Sequence, residues 1–340
     1  MPMARALIQC PQLLVLPGDF RAYSRASKKV MEHLGEVTDC IEQISIDEAY
    51  LDVSEIQEDA ETLARRLQAI IRAELDLPCS IGVASNKLVA KVATDAGKAA
   101  ARGEGPPNAI LVVPPGQEAA FLAPLPVEVL PGIGPKTTEF LAGRGIHTVG
   151  QLAQMPDKSL EDLFGKLLGH ELFLKTQGID HRPVETSHAI KSISRETTFP
   201  RDLSDGVQLR ETLNHLSESV SRRLHRENLA GTTVKIKLRW ADFTTLSRQV
   251  TLKQPTNQSD EIYQAALHLF DSLWTPKKPV RLLGVGVSGL RMPYKQLSLW
   301  EVVGEKQSAE KKQRLQQALD QLRRKYGDDI LRRGGLDQRK

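Results

Sequence analysis

The strongest constraint on this chain lies in its last third, where the hydrophobic period changes repeatedly between residues 190 and 290. Residues 190–199 alternate as a strand does, and residues 207–227 repeat at helical spacing. Residues 232–240 and 245–252 alternate again across a short turn. A second helical stretch over 259–274 and a final strand over 280–290 complete the series. A period of two places successive side chains on opposite faces, whereas a period near 3.6 gathers them on one. The order is therefore β-α-β-β-α-β, the split βαβ pattern.

Upstream, the patterning differs. Residues 1–16 read as the end of a helix followed by a short strand, with no evident partner elements before them. A helix is expected over 19–35, with Tyr23, Val30, Met31 and Leu34 on one side. Ile41, Ile44 and Ile46, then Ala49 to Val53, read as a hairpin with Asp47 and Glu48 at or near its turn. Leu63, Leu67, Ile70, Ile71 and Leu75 fit an amphipathic helix over 58–76. A strand over 79–83 leads to Ser85 or Asn86, either of which can cap a helix over 87–96. Residues 109–113 form a further short strand. Strands and helices alternating in this way indicate an α/β or α+β layer. Residues 125–183 then read as short helices broken by glycine, a separate all-α region.

Composition narrows the function classes. A chain of 340 residues has room for two or three domains, and 40% hydrophobic with 26% charged residues suits a globular protein. No run approaches the ~18 apolar residues of a membrane span. The start, Met1 to Arg5, has no cleavage-site pattern, so a cytoplasmic protein is expected. Cys10, Cys40 and Cys79 are far apart and form no C-x-x-C pair, which argues against a disulfide framework or a zinc site. The histidines show no metal-ligand spacing. Net charge is only +4, but Arg222, Arg223 and Arg226, then Lys235, Lys237 and Arg239, make local basic clusters of the kind that attract polyanions.

Three motifs carry chemistry. In Ser45-Ile46-Asp47-Glu48-Ala49-Tyr50, two adjacent carboxylates stand at the end of an apolar run that can deliver them to a cleft. Carboxylate oxygens suit magnesium, and two such ions can clamp the attacking and leaving oxygens of a phosphoryl transfer. Most Asp-Glu pairs are solvated turns, so the setting matters more than the dipeptide. In Leu130-Pro131-Gly132-Ile133-Gly134-Pro135-Lys136, a Gly-Ile-Gly turn opens a helix. Glycine lets a backbone approach phosphate closely, and the helix start offers free N–H donors. This is a helix-hairpin-helix pattern for binding DNA backbone without reading sequence. The third motif runs from Ser80 to Lys98, with Lys87, Lys91 and Lys98 along one helix and its end, where they face either phosphates or solvent.

In this order and combination the segments SIDEAYLDVS, SIGVASNKLVAKVATD and LPGIGPKT resemble the Y-family (translesion) DNA polymerases, closest to the bacterial polymerase IV type. The resemblance runs from Met1 to about Tyr326. It implies a remnant of the fingers over 1–16, a partial palm over 17–124, a thumb over 125–185, a linker over 186–193, a little finger over 194–302 and a charged tail over 303–340. It makes Asp47 and Glu48 ligands of two Mg²⁺ ions, Glu48 the catalytic carboxylate, and Lys98 a contact to the incoming dNTP. Alanines at positions 99–101 stand where the family usually has proline. Gly132, Ile133, Gly134 and Lys136, with Lys235, Lys237 and Arg239, would hold primer-template DNA. Family members begin with a strand carrying another metal-binding aspartate, and by the resemblance that strand would precede Met1 by roughly 70 residues of missing chain, about half a small domain. The expected function is error-prone DNA synthesis past damaged bases by a monomer. The alternatives are a catalytically deficient fragment that binds primer-template DNA and a partner, and a helix-hairpin-helix nuclease with Asp47-Glu48 on a solvated loop. Finally, Gln296, Leu297, Leu299 and Trp300 resemble the bacterial sliding-clamp binding motif, a compact apolar anchor.

Overall fold

The computed structural model describes residues 1–101, 105–187 and 189–293, which fall into two compact units divided between His188 and Ala189. That division lies inside the expected linker.

The first unit opens with α1 (Met3–Gln9), which buries none of its residues. The strand expected after it does not form. Residues 11–16 are irregular, and Leu14 and Leu16 are exposed. An extended segment without a hydrogen-bonding neighbour has no ladder to join. Helix α2 (Phe20–Gly35) starts at Asp19, whose carboxylate accepts from the Arg21 and Ala22 N–H groups. Strands β1 (Ile41–Gln43) and β2 (Ala49–Leu51) pair antiparallel, with Ile41 opposite Leu51. Helix α3 (Ala60–Leu75) buries Leu63 and Leu67 in a small core with Leu34, Ile41 and Leu51. Strands β3 (Ile81–Val83) and β4 (Ile110–Val112) run parallel, joined through α4 (Lys87–Ala100), whose start is capped by the Asn86 side chain. The helix runs a full turn beyond the expected 96.

Then come α5 (Glu118–Leu122), a 3₁₀ turn (Val127–Val129), α6 (Pro135–Ala142), α7 (Val149–Ala153), α8 (Asp157–Phe164) and α9 (Lys166–Thr176). Leu88, Val89, Val92 and Ala93 of α4 share one apolar core with Leu141, Leu152, Leu160 and Leu172 of these helices. The buried face of α4 is thus fixed to the helical region. Its other face is free to address the β1–β2 hairpin.

Seating α4 this close to β3 depends on Gly82. A Cβ there would stand 2.1 Å from the Ala90 carbonyl oxygen and 2.6 Å from the Thr94 nitrogen, both backbone atoms of α4.

The second unit follows the expected order: β5 (Ser192–Leu203), α10 (Gly206–Arg226), β6 (Ala230–Trp240), β7 (Thr245–Thr256), α11 (Ser259–Leu273) and β8 (Val280–Arg291). The sheet order is β5-β8-β6-β7, and every neighbouring pair is antiparallel. Each βαβ unit is split by one strand of the other. Val234, Ile236, Leu238 and Trp240 of β6 pack with Leu213, Val220, Ile262 and Phe270 of the two helices. The sheet's other face carries no such cover among the described residues.

The Gly82 contact gives a direct test. Gly82→Ala is expected to destabilise the first unit by about 1–3 kcal/mol through overpacking. Gly143→Ala, whose added methyl meets nothing closer than 3.6 Å, is expected to stay within about 0.5 kcal/mol of the parent. Urea unfolding of both variants measures the difference.

Candidate functional site

Asp47 and Glu48 sit in the turn that joins β1 to β2. The turn is closed by the Ile44 and Ser45 N–H groups, which both donate to the Glu48 carbonyl oxygen at 3.0 and 3.2 Å. The Ser45 hydroxyl donates to Asp47 Oδ1 at 2.5 Å and so orients that carboxylate. Asp47 is exposed and Glu48 half-buried. Lys91 Nζ, on the free side of α4, donates to Glu48 Oε1 at 2.5 Å and stands 3.5 Å from Asp95 Oδ1 one turn along. Burial of Lys91 works against its charge, but the hydrogen bond it donates to Glu48 and the Asp95 charge outweigh it, and its pKa is raised.

A second lysine of α4 reaches the same hairpin. Lys87 Nζ donates to Glu42 Oε2 at 2.6 Å, with side chains only 11% and 6% exposed. The Glu185 N–H donates to the same oxygen at 2.8 Å. Lys87 also lies 5.6 Å from the Tyr50 ring centroid, a cation–π contact. Burial pushes the Tyr50 phenol up, against the pull of Lys91 and Arg182. Asp180 accepts the Leu88 N–H near the start of α4 and both Arg182 Nε and Nη2 at 2.8 Å. Burial would raise the Asp180 carboxyl, but these hydrogen bonds hold it below its ordinary range. Two of the three lysines read from sequence as phosphate-facing or solvated are therefore engaged with hairpin carboxylates. Lys98 lies seven residues beyond Lys91 on α4, on nearly the same face and about 10 Å further along. The sequence reading missed the buried Glu42 and the exposed Arg182 that pairs with the buried side chain of Asp180, because nothing local marks a carboxylate on a three-residue strand as buried or an arginine in a loop as paired.

The donor set at the turn suits a hard divalent ion. Magnesium takes one or two protein carboxylates and completes its shell with water and substrate phosphate oxygens. Asp47 and Glu48 offer that pair. The three-residue cluster of metal-sized geometry among the described residues lies elsewhere, at Asp157, Glu161 and His170 of α8 and α9. Its members are engaged with each other and with Lys158: His170 Nδ1 lies 2.8 Å from Asp157 Oδ2, and Lys158 lies 3.6 Å from Glu161.

The glycine turn before α6 is open to solvent. Gly132 has φ +104°, a conformation side-chain-bearing residues rarely adopt, and an added Cβ at Gly134 would meet nothing within 4 Å. Pro135 occupies the first helical position and no side chain caps the helix. The first-turn N–H groups, including that of Lys136, have no intrahelical acceptor. Ile133 is turned the other way: its side chain is buried in the core, and its N–H donates to the Leu130 carbonyl. Lys175 supports the turn from beneath, donating to the Pro131 carbonyl at 2.9 Å.

In the second unit, Lys235, Lys237 and Arg239 alternate with the buried residues of β6 and so share the uncovered sheet face. Gly286 and Gly284 of β8 lie opposite Lys235 and Lys237, and Gln249 and Ser247 of β7 flank them on the other side. Lys237 pairs with Glu196 of β5 at 2.9 Å. Gln296, Leu297, Leu299 and Trp300, and the tail over 303–340, lie outside the described residues. Among the described residues no helix is long and apolar enough to cross a membrane.

Comparison with known proteins agrees with this architecture. Residues 1–95 match the impB/mucB/samB family, residues 190–299 match the C-terminal domain of that family, and residues 128–180 match the DNA polymerase-iota thumb domain. A solved Y-family DNA polymerase chimera of Dbh and Dpo4 superposes with a TM-score of 0.75 at 26% identity, covering 86% of this chain and 83% of that one. The α+β fold, with its helical thumb and sheet-bearing little finger, is that of a Y-family polymerase. The DNA polymerase IV of Dehalococcoides mccartyi is 39% identical over 331 residues, 96% of this chain and 81% of that protein. DNA polymerase IV 1 of Bacillus subtilis is 38% identical over 341 residues, 98% of this chain and 79% of the relative. The chain belongs to the DNA polymerase IV family of Y-family polymerases, and is by that membership a DNA-directed DNA polymerase. Enzymes of this family work with divalent metal ions.

The buried pair of Glu42 and Lys87 yields a stability prediction. Lys87→Met removes the cation and leaves Glu42 buried, at an expected cost of about 3 kcal/mol. Adding Glu42→Gln should restore part of that loss. Urea unfolding of the single and double variants tests it, and equal stability of Lys87→Met and the parent would contradict the pairing.

Proposed function

We propose that this chain carries out template-directed, error-prone DNA synthesis past damaged bases, with Asp47 and Glu48 as the reaction centre. The observation that carries the reading is the placement of two adjacent carboxylates on a turn that α4 holds by two lysines. In this reading the primer 3′ hydroxyl attacks the α-phosphate of a dNTP, the bond to the β-phosphate breaks, and pyrophosphate leaves. Asp47 and Glu48 would hold two Mg²⁺ ions, which when bound stabilise the charge that develops on the transferring phosphoryl group. Glu48 is the catalytic carboxylate beside the primer terminus. The Ser45 hydroxyl keeps Asp47 in one orientation. Lys98 would meet the triphosphate from the end of α4.

Primer-template DNA is proposed to bind at two surfaces. The Gly132–Gly134 turn with Lys136 offers backbone N–H groups and one cation to a phosphate. Ile133 shapes that turn from within. Lys235, Lys237 and Arg239 offer a cationic stripe on a sheet face kept low by Gly284 and Gly286, and Glu196 holds Lys237 when no phosphate is present. Neither surface needs to read base edges, which suits an enzyme that acts on any template. Gln296, Leu297, Leu299 and Trp300 are proposed to dock a sliding clamp. The protein is read as a cytoplasmic monomer.

Two measurements test this. In primer extension with magnesium, Glu48→Gln is expected to slow incorporation by at least ~100-fold, the scale of losing a key group that stabilises transition-state charge. Equal rates for Glu48→Gln and the parent would overturn the assignment. Duplex binding by the parent without any extension would favour the alternative of a DNA-binding, catalytically deficient chain. In duplex binding across a salt series, Lys136→Ala is expected to reduce the slope of log K against log salt by about 0.9 and to weaken all sequences alike. A loss confined to some sequences would point to base contacts instead.

A further inference from the structure

The two lysines that α4 sends to the hairpin are not equivalent. Lys87 is enclosed with Glu42, and the Glu185 N–H completes that arrangement. Lys91 is 30% exposed and stands between two carboxylates, Glu48 at 2.5 Å and Asp95 at 3.5 Å, the latter 54% exposed and one turn along the same helix. A lysine is a compact charge on a flexible four-carbon stem, so it can pass between such partners by rotamer change alone. An ammonium and a divalent cation compete for one carboxylate, because like charges at contact distance repel strongly in a partly desolvated site. The same repulsion means that Lys91, once displaced, needs another anion within reach, and Asp95 is that anion.

We infer that Lys91 is an exchangeable counterion of Glu48: it occupies the carboxylate while no divalent ion is bound, and moves to Asp95 when one arrives. Lys91 is then a positioning residue. It keeps Glu48 aimed, and sets the ion concentration at which the site fills. Asp95 acts through Lys91 and needs no contact with the ion. The inference rests on the reading of Glu48 as an ion ligand, and deepens it.

The exchange makes a prediction that simple charge counting does not. Either view expects Lys91→Met to tighten ion binding and Asp95→Asn to weaken it. Under plain electrostatics the two effects add in the double variant. Under exchange, Asp95 matters only while Lys91 needs a second partner, so the double variant binds like Lys91→Met alone. The probe is terbium(III), a luminescent hard cation that seeks oxygen ligands, titrated into the full chain. A background carrying Asp157→Asn and Glu161→Gln removes both carboxylates from the separate Asp157, Glu161 and His170 cluster. Lys91→Met is expected to tighten binding about 5-fold and Asp95→Asn to weaken it by a similar factor, the lower range of coupled-site effects. The double variant should match Lys91→Met. Additive effects, or no tightening in Lys91→Met, would overturn the exchange. Glu48→Gln in the same background separates the two levels. If it binds as the parent does, the ion-ligand reading falls and the exchange with it. If it binds weakly while the cycle is additive, the exchange alone falls.

Discussion

The candidate site depends on ion pairs between one helix and one hairpin. Strands β1 and β2 are three residues each, and a two-stranded hairpin of that size is marginal by itself. Its outer edge is held by Lys87 on Glu42 and Lys91 on Glu48, which come from positions four apart on α4 and so rise from the same face. On its opposite face α4 gives Leu88, Val89, Val92 and Ala93 to the core of the helical region. The helix therefore transmits the rigidity of a large apolar core to a small turn that must present carboxylates accurately. Gly82 makes this possible by letting α4 lie directly on β3.

The charge chemistry follows from the same arrangement. The buried pair of Lys87 with Glu42 locks geometry, since breaking it strands a charge in a poorly solvated place. Lys91 with Glu48 lies nearer solvent, where an ion pair is worth little in stability and is easily exchanged. One helix thus carries a structural cation and a labile one a single turn apart. The labile one stands on the carboxylate that the proposed chemistry requires.

Much of this was legible in the sequence, for identifiable reasons. The little-finger order was readable because its strands run eleven or twelve residues and its helices fifteen and twenty-one, long enough for the periods of two and 3.6 to separate. The hairpin at Asp47-Glu48 was readable from Ile41, Ile44 and Ile46. The Gly-Ile-Gly turn was readable because Gly132 needs a positive φ. What failed was the short strand after α1, since β-propensity says nothing about whether a partner lies alongside. What stayed hidden was long-range pairing: Glu42 meets Lys87 across 45 residues and Glu185 across 143, distances over which local pattern is silent. The Ile133 side chain, at a position expected among the DNA contacts, lies in the core, a placement that the local Gly-Ile-Gly pattern does not specify.

The central claim is that the β1–β2 turn, held by α4, is where the divalent ions of synthesis bind. Manganese substitutes for magnesium and broadens nuclear resonances steeply with proximity. Amide spectra of the isotope-labelled chain, titrated with manganese in the presence of a dNTP, would locate the ion directly. The account predicts that broadening begins at residues 45–50 and at Lys91 on the facing helix. Broadening that begins at Asp157, Glu161 and His170, or that spreads evenly over the surface, would contradict it.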